Sequence, residues 1–396
     1  MKLESSIRDV PPSSAGRTAS SNILDRFLTA IARTTERWLG GKHFRLKTTA
    51  AAILLSLLVS LPPYPTNIAL IQGGAGAMQA IRWKVQHPLT PFPARLKDAS
   101  YGAVLPGTAS HINKLELRLT WPILGWLSGT GPWTVLVWNH LAGIGTFYLL
   151  ASLAFEALAD TVGSALFVMG LGATFFGAWF FHDPGFGDGL AWFFMLLSVA
   201  CRKPLLAAGS FVAAAFCDER CVVAVPLLLF YLAVRYPHDE QQAQRRRLLL
   251  AIVGGVLVWF LLRWWLARTF QLSTGTTGLG SLSIIAANLR TGLWPLLEVF
   301  KASWMLIPLA LFILWSKRNW VSAVTLLVAF GVALAPAFLV LDFQRSVGYT
   351  FVALLIALPF LWRDQETSRK WLAAILVLNV LFSPPGGSIL RLAKLL

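Results

Sequence analysis

Charged residues are scarce in this chain, and acidic ones scarcer still: 13% of its 396 residues are charged, with 18 Asp and Glu against 34 Lys and Arg. A soluble domain averages about a quarter charged residues, so the composition excludes an ordinary water-facing globule. Cysteine is nearly absent. Cys201, Cys217 and Cys221 form no CxxC pair and no disulfide framework, and the histidines are unclustered; a zinc site is not expected, and the three read as small apolar residues. No Walker A, GxSxG or HExxH pattern occurs. The Gly-rich stretches Gly73-Gly74-Ala75-Gly76 and Gly275-Thr276-Thr277-Gly278-Leu279-Gly280 read as loop flexibility, so chemistry driven by a soluble nucleotide is not expected.

Apolar residues make up 56% of the chain, its mean hydropathy is +0.64, and 17 Trp and 26 Phe suit aromatic belts at membrane interfaces. The net charge of +16 reads as basic loops held against anionic lipid, and no nucleic-acid partner is expected. Apolar windows predict an all-α, polytopic membrane protein with about eleven spans, roughly 10–12. They lie near Thr48–Pro63, Trp133–Leu158, Val162–Phe181, Leu190–Cys201, Leu205–Phe216, Val222–Tyr236, Leu248–Leu266, Leu293–Trp315, Val321–Leu341, Tyr349–Leu361 and Trp371–Phe382. Residues 1–47 read as a basic cytoplasmic leader, partly disordered over Ser5–Thr18, with an amphipathic surface helix over Arg26–Lys47. That leader is too long, and lacks a small-residue cleavage site, for a secretory signal. Residues 48–396 read as one transmembrane domain, in which 66–131 is a long loop with interfacial helices.

Lys and Arg in the short loops set the orientation. Arg202-Lys203, Arg235 with Arg245-Arg246-Arg247, Lys317-Arg318, and Arg363 with Arg369-Lys370 fall on the side of the basic leader, which places the N-terminus in the cytoplasm. His182, Asp183, Asp188, Asp218, Glu219, Arg220, Asp342 and Arg345 then share the outer side, together with Asp98, His111, Glu116 and Arg118 of the long loop. Charge within or beside apolar spans is costly and persists mainly where it faces a cavity or a partner. Its gathering on one face marks a candidate site.

Each constellation has two readings. His111, Lys114 and Arg118 recur at helical spacing, for binding the phosphate of a lipid-linked substrate or ordinary headgroups. Asp183 and Asp188, in the turn His182-Asp183-Pro184-Gly185-Phe186-Gly187-Asp188, suit a base or hard-oxygen ligands for Mg or Mn, but Asp188 also suits a helix N-cap. Asp218-Glu219-Arg220 lies between two short apolar segments, the signature of a broken helix; the alternatives are a self-satisfied loop triplet and one unbroken tilted helix. Asp342-Phe343-Gln344-Arg345 opens a late turn, where Arg345 suits bidentate phosphate recognition or a cap with its ion pair. Asn139 and His140 read as hydrogen-bonded structural groups near the outer end of a span.

A first span, a long loop with interfacial helices, Gly187-Asp188-Gly189-Leu190-Ala191-Trp192, the short turn Cys201-Arg202-Lys203-Pro204, and the charged break Asp218-Glu219-Arg220 before Val225-Pro226-Leu227 follow one another. This layout resembles the GT-C superfamily of polytopic glycosyltransferases over about residues 48–236, with 237–396 as additional generic spans. The resemblance implies transfer of a sugar, with inversion, from a polyprenyl-phosphate-linked donor to a glycan, lipid or protein acceptor on the outer face of a membrane, here a bacterial inner membrane. In that family an acid of the first outer loop commonly deprotonates the acceptor, whereas Pro62 to His87 contains no Asp or Glu. Asp98, Asp183 or Asp188 is therefore the expected base, with Asp218 and Glu219 as further acids and His111, Lys114, Arg118, Arg220 and Arg345 around the phosphate. A transporter or flippase of lipid-linked glycans, and an O-antigen-type polymerase or ligase, are the alternatives.

Overall fold

A computed structural model describes residues 22–74, 77–94, 96, 115–182, 187–274, 282–291, 293–340, 342–361 and 364–382. All regular structure among them is helical, and several long apolar helices mark an integral, multi-pass membrane protein. Gly131–Leu158, Asp239–Thr269, Trp294–Ser316, Trp320–Leu339 and Phe343–Phe360 are each long and apolar enough to cross a bilayer. Two bent pairs raise the count to seven: Phe44–Ser60 with Tyr64–Gly73, at 83°, and Thr161–Gly172 with Phe175–His182, at 62°. The sequence windows overcount relative to this measure because Asp188–Ala200, Pro204–Cys217 and Val225–Arg235 are short. Thirteen residues at about 1.5 Å each cover about 20 Å, less than the roughly 30 Å hydrocarbon core.

The first helix among the described residues is α1 (Ile23–Leu39), and α2 (Phe44–Ser60) already starts at Phe44, so the surface helix is shorter than expected and residues 44–47 belong to the first apolar helix. Leu61 adopts φ 42° at the end of α2, and Pro62 and Pro63 turn the chain into α3 (Tyr64–Gly73). Helix α4 (Ala77–Gln86) turns Met78, Ile81 and Val85 into the main core. A small satellite core of Ala80, Phe92, Leu96 and Leu115 packs with Trp83 beside it. The helical spacing of His111, Lys114 and Arg118 is not matched by an α-helix over 115–119, which is turn and coil; α5 (Thr120–Ser128) starts only at Thr120. Glu116 explains the irregularity, since its carboxylate accepts backbone N–H bonds from Phe92 and Ser273.

Helix α6 (Thr134–Leu158) packs against α2, α7 (Thr161–Gly172) and α9 (Asp188–Ala200). Asp160 caps α7 by accepting from the N–H groups of Val162 and Gly163. The chain bends at Ala173-Thr174 before α8 (Phe175–His182). Lys301 explains how the bend survives in an apolar core: its ammonium donates to the Ala173 carbonyl at 2.7 Å and to the Asn379 carbonyl at 2.9 Å. Short α10 (Pro204–Cys217) pairs with α9, and α11 (Val225–Arg235) follows the charged break. Long α12 (Gln242–Thr269) covers α10 and leaves most of its surface outward, including Leu257, Phe260, Leu261 and Trp264.

The later chain holds α13 (Leu282–Thr291), α14 (Leu293–Phe300), α15 (Leu306–Ser316) and α16 (Trp320–Leu334). The span expected as continuous over Leu293–Trp315 is interrupted by a 3-10 turn at Lys301–Met305, where Lys301 has φ 48°. Then come α17 (Phe343–Gly348), α18 (Val352–Ala357) and α19 (Gln365–Leu381). Phe176, Phe180, Trp192, Phe300 and Phe351 form a fully buried aromatic knot where α8, α9, α14 and the 349–357 segment meet. At one end of the bundle, Arg235 pairs with Glu156, Arg369 with Asp160 and Glu36, and Lys370 with Asp25, which ties α1 to α19.

Candidate functional site

At the opposite end of α9 and α10, seven charged side chains form a ladder of alternating sign. Its rungs come from the irregular stretch before α5, the start of α9, the break after α10, and the start of α17. Arg118 Nη1 lies 3.0 Å from Asp218 Oδ2, and Arg118 Nη2 lies 3.2 Å from Glu219 Oε1. Arg220 Nε donates to Asp218 Oδ1 at 2.8 Å, while its Nη2 bridges Asp218 and Asp188. Arg345 Nε stands 2.9 Å from Asp188 Oδ2, close but poorly aligned for a hydrogen bond. Arg345 Nη1 pairs with Asp342 at 3.3 Å. The order is Arg118, Asp218, Arg220, Asp188, Arg345, Asp342, with Glu219 on the flank of Arg118.

The local sequence accounts for this convergence. Asp218 ends α10 in an extended conformation, and its carboxylate also accepts the Arg220 backbone N–H at 2.9 Å, so the helix breaks there rather than running on. Gly187, at φ 94° and against Trp121, is the N-cap of α9. Asp188 is thus the first helical residue and makes no cap hydrogen bond, which removes the capping reading. Gly189 lets α9 approach α6, because a Cβ there would lie 2.1 Å from Asn139 Oδ1. Arg345 belongs to the short helix α17, not to the turn before it, and from there its side chain reaches Asp188.

Burial divides the ladder into two classes. The side chains of Asp188 and Asp218 have no exposed surface, whereas Glu219 and Asp342 are 33% and 32% exposed. Tyr349 donates to Asp188 Oδ1 at 3.3 Å, the Arg220 guanidinium lies 5.2 Å above the Tyr349 ring, and Arg220 Nη1 donates to Ser346 Oγ at 2.9 Å. The Arg345 guanidinium lies 5.7 Å over Trp179. Every oxygen of Asp188 and Asp218 therefore faces a guanidinium. This donor set does not suit Mg or Mn, which need several unopposed oxygen ligands, and among the described residues no group of three His, Cys, Asp or Glu side chains is placed to hold a metal ion.

Of the residues singled out from sequence, Arg118, Asp188, Asp218, Glu219, Arg220, Asp342 and Arg345 lie in this ladder. Asp98, His111, Lys114 and Asp183 lie outside the described residues. His140 takes a structural place, bonded to the Tyr64 hydroxyl at 2.9 Å and the Leu136 carbonyl at 2.8 Å. Tyr349 and Ser346 were not anticipated, since nothing distinguishes a Tyr or Ser near a helix start. Arg263 was also missed, although its signal is legible: it stands between Leu262 and Trp264 in the apolar run of α12.

No family model, curated protein or solved structure matches this chain.

Proposed function

We propose that this protein is an outer-face membrane glycosyltransferase of the GT-C kind, transferring a sugar with inversion from a polyprenyl-phosphate-linked donor to an envelope glycan, lipid or protein acceptor. The observation that carries the reading is the convergence of Arg118, Arg220 and Arg345 with four carboxylates at one end of the bundle. The proposed setting is a bacterial inner membrane, N-terminus cytoplasmic, with the ladder facing outward; the five long apolar helices, seven with the bent pairs, support the multi-pass part of that reading.

The chemistry needs a proton acceptor and a cationic receiver. The acceptor hydroxyl oxygen forms a new bond to the anomeric carbon while its proton passes to a carboxylate. The bond from that carbon to the phosphate oxygen breaks, and its electron pair leaves with the phosphate. Arginine is suited to meet that growing charge through paired N–H donors. Asp188 and Asp218 are enclosed by guanidinium groups and hold the arginines in place. Glu219 and Asp342, each partly open, have the access that a proton acceptor requires; Asp98 and Asp183 remain in the same role as sequence candidates. No metal step is assigned.

Envelope glycolipids and glycans of a deletion strain, compared by mass spectrometry after complementation, test the reading. A product one sugar short, restored by wild type and not by Glu219→Gln combined with Asp342→Asn, supports it. Unchanged glycans in the deletion strain overturn it. A carrier of lipid-linked glycans is the second reading, favoured by the two bent helix pairs; it predicts accumulated but unaltered donor on the inner face.

A further inference from the structure

At the end of the bundle opposite the ladder, α1 is seated by one face and leaves the next uncovered. Ala32 and Thr35 are buried, and Leu28 and Ile31 pack against the main core, so this side of α1 rests on α7 and α19. Asp25 and Glu36 lie eleven residues apart, about 16 Å along a helix. They nevertheless pair with adjacent residues of α19, Asp25 with Lys370 at 2.8 Å and Glu36 with Arg369 at 3.7 Å. Helix α1 therefore crosses the start of α19 and lies over the end of the bundle rather than alongside its helices. Next around its circumference come Ile23, Phe27 and Trp38, which are 84%, 51% and 68% exposed, with exposed Leu24 beside them. Their spacings of four and eleven place them on one strip. About a quarter-turn further on, Arg26, Arg33 and Arg37 form a second strip, at spacings of seven and four. Arg33 and Arg37 are exposed and enter no ion pair among the described residues.

We infer that this edge of α1 docks on the anionic surface of the lipid leaflet at its own end of the bundle, and that the docked helix fastens α19 to α7. The order of the strips selects the occupant. The apolar strip borders the face seated on the bundle, so it continues the lipid-covered surface of the helices, and the arginine strip beyond it lies at the depth of headgroups. The acids Asp25 and Glu36 are turned to the other side and paired with Lys370 and Arg369, which leaves the lipid-facing edge cationic and complementary to anionic headgroups. A zwitterionic leaflet meets the apolar strip alone. A soluble acidic partner meets the arginines and leaves Ile23, Phe27 and Trp38 in water. Arg369 also pairs with Asp160 at the start of α7, so a helix held at the leaflet keeps Asp25, Glu36, Lys370, Arg369 and Asp160 together. This inference does not depend on the proposed glycosyl transfer.

The experiment is hydrogen exchange of the full chain, one copy per nanodisc, in discs of phosphatidylcholine alone and in discs that also contain phosphatidylglycerol. Residues 23–39 are expected to exchange roughly 5- to 30-fold more slowly in the anionic discs, the range for one to two cations at such a surface. Residues 365–370 follow them, and α6 does not change. Arg33→Gln combined with Arg37→Gln removes the difference between the discs, whereas Arg33→Lys combined with Arg37→Lys keeps it. Phe27→Ser combined with Trp38→Ser speeds exchange of α1 in both kinds of disc, and Arg202→Gln, on the turn between α9 and α10, leaves the difference intact. Equal exchange of α1 in the two discs overturns the proposal. So does a difference that survives Arg33→Gln with Arg37→Gln, which would assign it to charges elsewhere on the chain. Protection of α1 that appears only when two copies share a disc overturns it as well, making the strip an interface between copies. Slowed α1 with unchanged exchange at 365–370 would overturn the fastening of α19.

Discussion

Arg220 joins Asp218, two residues before it, to Asp188, which is 32 residues away in sequence and on another helix. One guanidinium thus closes the break after α10 onto the start of α9. Replacing Arg220 by Ala leaves two fully buried carboxylates with one fewer cation each. The expected loss is about 3–5 kcal/mol, the range for removing one partner of a buried ion pair, read as a lowered unfolding midpoint in detergent. Arg220→Lys recovers less than half of it, since a single ammonium does not reproduce a fork that spans Asp188, Asp218 and Ser346.

The exposed and enclosed carboxylates separate in a transfer assay. On the proposed glycosyl transfer, Glu219→Gln or Asp342→Asn, whichever serves as proton acceptor, is expected to lower the rate by about 10²- to 10⁴-fold with an unchanged unfolding midpoint. Asp188→Asn and Asp218→Asn lower the midpoint as well as the rate. Equal midpoint losses at all four positions would reduce the ladder to a structural clasp.

Lys84 gives a pH dependence of known sign. It is fully buried on α4, donates weakly to the Thr90 carbonyl at 3.5 Å and faces the Phe92 ring. Burial pushes its ammonium down from 10.5 to about 8, with the Glu116 charge partly opposing the shift. Between about pH 8 and 10.5 the unfolded chain carries a proton that the folded chain has released, so stability rises with pH across that window. Below it, the cost of the buried charge is fully present. The unfolding midpoint of wild type is expected to gain on that of Lys84→Met as the pH is raised from 8 to 10.

Lys301 is expected to matter for packing far from the ladder. Lys301→Met strips the Ala173 and Asn379 carbonyls of their donor, at about 1–3 kcal/mol for each buried group left unmet. Because Ala173 sits at the bend before α8, protease or hydrogen-exchange protection over residues 171–176 should fall more than that of α6.

The helical, membrane-embedded character was legible from apolar windows, and so was the break at Asp218-Glu219-Arg220, because three charges in a row cannot continue an apolar helix at low cost. Which charges meet was not legible. Arg118 and Asp218 are a hundred residues apart in sequence, and no spacing rule relates them. Arg345 was read as loop because apolar windows begin at Tyr349, whereas the helix starts at Phe343 and carries its arginine in the first turn. The bend at Ala173 and the break at Lys301 were hidden for another reason. Ala173 lies inside a continuous apolar run, and the lysine that satisfies the bend comes from 128 residues downstream, whereas the break at Lys301 was marked only by Glu298 and Lys301 inside an otherwise apolar window.

The ladder also imposes an order of events on a growing chain. Asp188, Asp218 and Glu219 leave the ribosome well before Arg345, and domains generally form in the direction of synthesis. For that interval the nascent protein holds Asp188 with only part of its final complement of cations. Arg220 is the neutraliser that arrives soonest after Asp218, two residues behind it, whereas Arg345 closes the assembly only when the last third of the chain has entered the bilayer. Insertion of the C-terminal helices is therefore the step that locks the earlier ones, and a truncation before Phe343 should leave Asp188 half-paired and the N-terminal bundle exposed to membrane quality control.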